Sequence, residues 1–289
     1  MNKHALTGPV LGAAVLCSAG SHAAGLTGVD LKFINDSNPA KAEFERDIEE
    51  TSSVLGRLTG NLYAMPLRSD DTVRSGLSLN GSASYEHNMD IEGLGESRYR
   101  ASVDWFRENR KSAGTPFMRL GLGLSYIDSE TQRRDGVSVD ASASINFQPT
   151  SFFDTTVGVQ TAVTDAETEV FDTTKTTLFA TANFSPTPKL VLRTGLRFVT
   201  GDEVSTATPT TNIVNTAQVI EPDEAFGGAQ EQRFAYLVGA TSAIAEAGIG
   251  YGISGSVQAN LLYRFVSTEA DGDISYDRSL IEFTIGFDL

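Results

Sequence analysis

The chain has 289 residues, 40% of them hydrophobic, with a mean hydropathy of -0.13 and a formal net charge of -15. That acidic balance argues against nucleic acid as a partner, because phosphate binding needs a basic face. Past the first thirty positions there is no run of roughly 18 apolar residues, which excludes a bundle of membrane-spanning helices.

Residues 1–24 have the layout of an export signal. Lys3 supplies a cationic start, "ALTGPVLGAAVLCSAG" an apolar run, and "SHAA" small residues where a peptidase would cut after Ala23 or Ala24. The mature chain is then 25–289, and the one cysteine, Cys17, leaves with the signal, so no disulfide is expected. Leu16 stands where a lipoprotein signal needs a small residue, which argues against a lipid anchor.

Next comes "GVDLKFIN", which sets Val29, Leu31 and Phe33 against Asp30 and Lys32 and reads as a strand. In "NPAKAEFERDIEE", Pro39 suits a first helical turn and Phe44 and Ile48 lie four apart, which predicts a short helix in the first outer loop or, alternatively, within a pore. From about residue 52 the period is two. "GLSLNGSASYEHN" opposes Leu77, Leu79, Ala83 and Tyr85 to Ser78, Asn80, Ser82, Ser84 and Glu86. "MRLGLGLSY" separates Met118, Leu120, Leu122, Leu124 and Tyr126 from Arg119, Gly121, Gly123 and Ser125. "GVSVDASASINF" opposes Val137, Val139, Ile145 and Phe147 to Ser138, Asp140, Ser142, Ser144 and Asn146. "IGYGISGSVQANLLYRF" is read as one long strand, and further strands are placed near 53–64, 97–108, 152–165, 174–185, 188–200, 231–245 and 277–289.

A strand in a soluble sheet averages about five or six residues, whereas a tilted bilayer crossing takes about nine to eleven, and most of these alternations run for ten or more. Rows such as Ser138, Asp140, Ser142, Ser144 and Asn146 would be costly to bury dry and belong next to water. Short links near 65–71, 109–115, 148–151, 185–188 and 245–248 alternate with longer acidic ones near 36–51, 88–96, 128–135, 165–173, 201–230 and 268–277. Phe117, Phe147, Phe153, Phe184 and Phe287 fall beside the short links, and Tyr85, Tyr99, Tyr126, Phe198 and Tyr263 near the long ones, as two aromatic girdles would. The expectation is an all-β chain forming a single antiparallel transmembrane β-barrel of about 12 strands; ten strands with an N-terminal extension is the alternative.

Signal, period-two strands, short-and-long loop alternation and the aromatic-rich terminal strand "SLIEFTIGFDL" together resemble the bacterial outer-membrane β-barrel proteins, porin-like but of no specific subfamily. The resemblance implies residence in the bacterial outer membrane among lipid and lipopolysaccharide, and recognition of the last strand by the barrel-assembly machinery. That class commonly ends in an aromatic residue; here Phe283 and Phe287 precede an aliphatic Leu289.

Within a lumen, alternation turns Lys32, Arg57, Arg98, Arg100, Arg119, Arg193, Arg197 and Arg264 inward, together with Asp30, Glu86, Asp104, Asp140, Asp154 and Glu282. Fixed charge in a narrow pore selects ions by sign, so Arg57, Arg98, Arg100, Arg119, Arg193, Arg197 and Arg264 are the candidate solute-contacting residues; the alternative is that they pair with the inward acids and brace the wall. The acidic outer loops are a solvated surface or a meeting place for a surface partner. "DGDISYDRSLIE" has calcium-loop spacing, but Tyr276 occupies the position of the sharp-turn glycine. The 201–230 segment, too long for a plain connection, folds over the mouth or into it. His87 is the only histidine past the signal, and alternation turns it away from Ser84 and Glu86, so no catalytic triad is assembled. No cofactor or metal is called for. The leading expectation is therefore a non-enzymatic channel for passive diffusion of small hydrophilic, anionic solutes. The alternative is a non-conducting structural, secretion- or polysaccharide-associated barrel with a plugged lumen.

Overall fold

A computed structural model of the chain describes residues 25–69, 72–109 and 116–289. The export signal read over 1–24 lies outside them, as does most of the short link at 109–115. Twelve strands close into an antiparallel barrel: β1 (Gly25–Asp36), β2 (Thr51–Ser69), β3 (Val73–Asn88), β4 (Glu96–Asn109), β5 (Phe117–Ser129), β6 (Gly136–Thr150), β7 (Phe153–Ala166), β8 (Thr173–Thr187), β9 (Leu190–Ala207), β11 (Phe234–Gly252), β12 (Val257–Ala270) and β13 (Ile274–Asp288). A short extra strand, β10 (Val219–Pro222), pairs with the outer end of β11, where Val219 faces Leu237. β13 closes the barrel on β1, with Val29 opposite Phe287 and Asp36 opposite Leu280. The regular terminal strand thus has a partner along both edges, as backbone groups in lipid require.

The faces follow the alternation. Leu120, Leu122, Leu124 and Tyr126 of β5, Leu178 of β8, Leu196 and Phe198 of β9 and Leu261 and Tyr263 of β12 all lie exposed on the outside. Asp104, Asp140, Glu246 and Glu282 lie buried on the inside. Exposed apolar side chains encircling a polar interior invert the soluble arrangement; the solvent that favours them is hydrocarbon. No helix among the described residues is long and apolar enough to cross a membrane.

Three expectations need correction. The links between β11 and β12 is Ile253–Ser256, and 245–248 lies inside β11, so the one long strand expected over 249–265 is two. The expected helix in 39–50 is only a single tight turn, Glu45–Asp47. Its competitor is Asn38, whose side chain donates to Ala42 O and accepts from Ala42 N, both at 2.9 Å, while Lys41 takes a left-handed conformation at φ 54°. Finally, Phe117 belongs to no girdle: it faces inward and stacks on Phe106, with ring centres 6.0 Å apart.

The outer ends of the strands run further than expected. The last outer link shrinks to Asp271–Asp273, and β9 and β11 continue as a paired ribbon to Ala207 and Phe234. The long outer loop is therefore 208–233 rather than 201–230. It contains a helix, α1 (Thr211–Thr216), capped by Thr210, whose side chain accepts from Ile213 N.

Candidate functional site

Two arcs of paired charge line the lumen. In the first, residues from five strands form a ladder. Lys32 of β1 meets Glu282 of β13 at 2.7 Å, and Glu282 also pairs with Arg264 of β12. Arg264 reaches Glu246 of β11 at 2.5 Å, and Arg197 of β9 reaches the same carboxylate at 3.2 Å, its guanidinium resting 6.0 Å from the centre of the Phe179 ring. In the second arc Arg119 grips Asp104 through two bonds of 2.9 and 2.8 Å. Arg100 is likewise bidentate on Asp140, one bond being 2.9 Å, and Gln160 adds a longer contact at 3.5 Å. Such forked pairs fix both partners in direction.

Glycines make room for these pairs. A side chain at Gly123 would overlap the Arg100 guanidinium and the Asp140 carboxylate; one at Gly121 would lie 2.7 Å from Asp104 Oδ1, and one at Gly195 2.9 Å from Glu246 Oε2. Each pair thus lies flat against the wall instead of crossing the bore. Gly123→Ala is expected to part Arg100 from Asp140 and to cost about 1 kcal/mol, the worth of a partly exposed pair, measurable as a shift in denaturation midpoint.

Of the seven arginines singled out by alternation, the structure puts Arg100, Arg119, Arg197 and Arg264 into these arcs. Arg98 pairs with Glu96 at 2.8 Å, near the outer end. Arg193 donates to Asn183 Oδ1 at 3.2 Å, and Asn183 in turn donates to Asp154 at 3.0 Å. Arg57 lies within electrostatic reach of Asp30. Sequence reasoning missed Glu246, the residue shared by two arginines, because it was placed in a turn. Its signal was available: it alternates in phase with Gly248 and Gly250 on the inward face.

The two arcs hold five bases on four carboxylates, and the partners differ in exposure as well. Side-chain exposure is 9% for Asp104 against 53% for Arg119, and 6% for Asp140 against 34% for Arg100. It is 2% for Glu246 against 35% and 28% for Arg197 and Arg264, and 5% for Glu282 against 19% for Lys32. In each of these pairs the base is the more exposed partner, so the water-accessible part of the two arcs is mainly cationic.

The outer mouth carries a second feature, a cap with its own apolar core. Ala40 and Ala42 from 37–50, Ile91 from 89–95, Ile213, Ala225 and Phe226 from 208–233, and Tyr236, Val238 and Ile274 from the strand ends pack together. Polar ties surround that core. Arg134 meets Asp223 at 2.6 Å, Arg133 meets Glu221 at 2.8 Å, and Arg233 meets Asp47 at 2.7 Å and Glu49 at 3.0 Å. Lys41 pairs with Glu203, and burial pulls its ammonium down to about 8. Among the described residues no group of three or more His, Cys, Asp or Glu side chains could hold a metal ion. His87 stacks on Tyr85 with centres 6.5 Å apart and lies 3.9 Å from Glu130, on the outer surface.

A closed antiparallel barrel with an even number of strands, an apolar aromatic-bearing exterior and a wet charged interior is a bacterial outer-membrane β-barrel. Its place is the outer membrane. No family model matches the chain, and no curated protein matches it. Among solved structures it is similar to the NanC porin, with a TM-score of 0.49 and 7% identity over 92% of this chain and 100% of that one. An outer membrane channel from Pseudomonas putida F1 gives 0.49 and 10% over 94% and 100%, and the KdgM porin 0.42 and 6% over 90% and 99%. These likenesses concern barrel architecture and carry nothing about this chain's solute.

Proposed function

We propose that the protein is an outer-membrane channel for small hydrophilic solutes that favours anions, with its outer cap limiting the flow. The observation supporting the sign preference is the buried-acid, exposed-base arrangement of the lumen pairs. A field inside a narrow bore is set by the charges most open to it, and Arg119, Arg100, Arg197, Arg264 and Lys32 are each more exposed than the acids they pair with. Arg57, Arg98 and Arg193 extend the same lining. Planar-bilayer recording in a salt gradient tests this reading: the reversal potential is expected on the anion-selective side, and a clear cation preference would remove it.

A second reading, a non-conducting structural, secretion- or polysaccharide-associated barrel, is favoured by the cap, whose apolar core resembles a folded unit more than a loose loop. Replacing 208–233 by a short turn separates the two. The channel reading expects a several-fold rise in conductance, and a barrel that stays silent after this excision belongs to the second.

A further inference from the structure

The seam between β1 and β2 is unlike the others. β1 is paired with β13 from Gly28 to Asp36, and β2 with β3 from Ser53 onward. Between β1 and β2 the ladder comprises only Gly25 with Asn61 and Leu26 with Gly60, at the inner end. Further out, side chains reach across instead, Thr27 Oγ1 to Thr59 O at 3.3 Å and Asn35 Nδ2 to Thr51 O at 3.5 Å, the limit for such bonds. In a hairpin the linking loop normally holds the two strands together. Here the link, residues 37–50, is fastened elsewhere.

Its fastenings lie on β9 and the 208–233 loop, a third of the way round the barrel. Thr206 N donates to Ala40 O at 2.7 Å, Lys41 pairs with Glu203, and Asp47 Oδ1 accepts from Thr208 Oγ1 at 2.8 Å and from Arg233 Nη1 at 2.7 Å. This seating has a cost. The Asp47 carboxylate is buried there, and its Oδ2 accepts no hydrogen bond, with only Arg46 Nε at 3.5 Å. β1 and β2 meanwhile remain anchored to their outer neighbours, through Ser37 N to Ser279 O at 3.0 Å and Met89 N to Ser52 O at 2.9 Å.

We propose that residues 37–50 are a two-position latch: seated on β9 they close the mouth and leave the seam beneath them unladdered, and withdrawn they open the mouth and let β1 and β2 zip together. The two arrangements exchange one set of bonds for another. Releasing Ala40, Lys41 and Asp47 gives up those fastenings and hydrates the buried Asp47 carboxylate, while the seam gains ladder hydrogen bonds in a setting where they matter most. The inference rests on the channel reading for its functional meaning, not for its mechanics.

The test uses the full chain in lipid nanodiscs and planar bilayers. Residues 25–289 contain no cysteine, so Ala40→Cys with Thr206→Cys adds one unambiguous pair that locks the latch when oxidised and frees it when reduced. Lys41→Ala with Arg233→Ala removes the ionic fastenings by a second route. Unlatching is expected to slow amide exchange over 51–59 by about tenfold and to raise conductance, while locking keeps exchange fast and conductance low. Exchange over 51–59 that is unchanged or faster in the unlatched protein overturns the latch. Slower exchange with no conductance in any variant upholds the latch and overturns the channel reading.

Discussion

Tyr236→Ala is expected to destabilise the cap by about 3–5 kcal/mol, the range for deleting a large, fully enclosed ring. Tyr236 is 0% exposed and sits at the centre of the core formed by Ile213, Phe226, Val238 and Ile274. The loss should be local, because the barrel below rests on ladders that do not involve this ring. Limited proteolysis should therefore cut within 208–233 at protease levels that leave the parent intact, while strand content by circular dichroism is unchanged. An uncut loop in the variant would mean that the cap does not depend on its apolar core.

The second large effect is expected from Glu246→Ala. Removing the carboxylate leaves Arg197 and Arg264 facing one another across the space it filled. Breaking a fully buried pair costs roughly 3–5 kcal/mol, and the value here should fall near the lower end because both guanidiniums are about a third exposed. The same change adds net positive charge to the lumen. Anion preference in a salt gradient should rise together with the loss of stability, and a reversal potential that does not move would show that this arc does not set the field in the bore.

The faces of the barrel were readable in the sequence because alternation does not depend on knowing where a strand ends. The β11–β12 turn was not, for the same reason. Ile253 and Val257 are four residues apart, so the outward phase carries straight through the hairpin, and "IGYGISGSVQANLLYRF" shows no break. The outer strand ends were hidden by a different cause. Ser205, Thr206, Thr268 and Tyr276 are buried by the cap and its neighbours, so neither side of those strand ends meets lipid and the apolar–polar rhythm fades. The lumen residues were legible as inward, but their pairing was not. Asp104 meets Arg119 across adjacent strands and Arg100 meets Asp140 across β5, and only the register makes those neighbours.

The ribbon of β9 and β11 continues past the point where β8 stops, at Lys175 opposite Gly201, up to Ala207 opposite Phe234. Glu203 and Tyr236 stand at its top, Arg197 and Glu246 at its foot; the six steps from Arg197 to Glu203 span about 20 Å of extended chain. Between them Gly201 takes φ 133°, and the ladder carries on through it, opposite Ala240. Crown and lumen ladder are therefore built on the same two strands, joined by continuous backbone pairing and not by a loop.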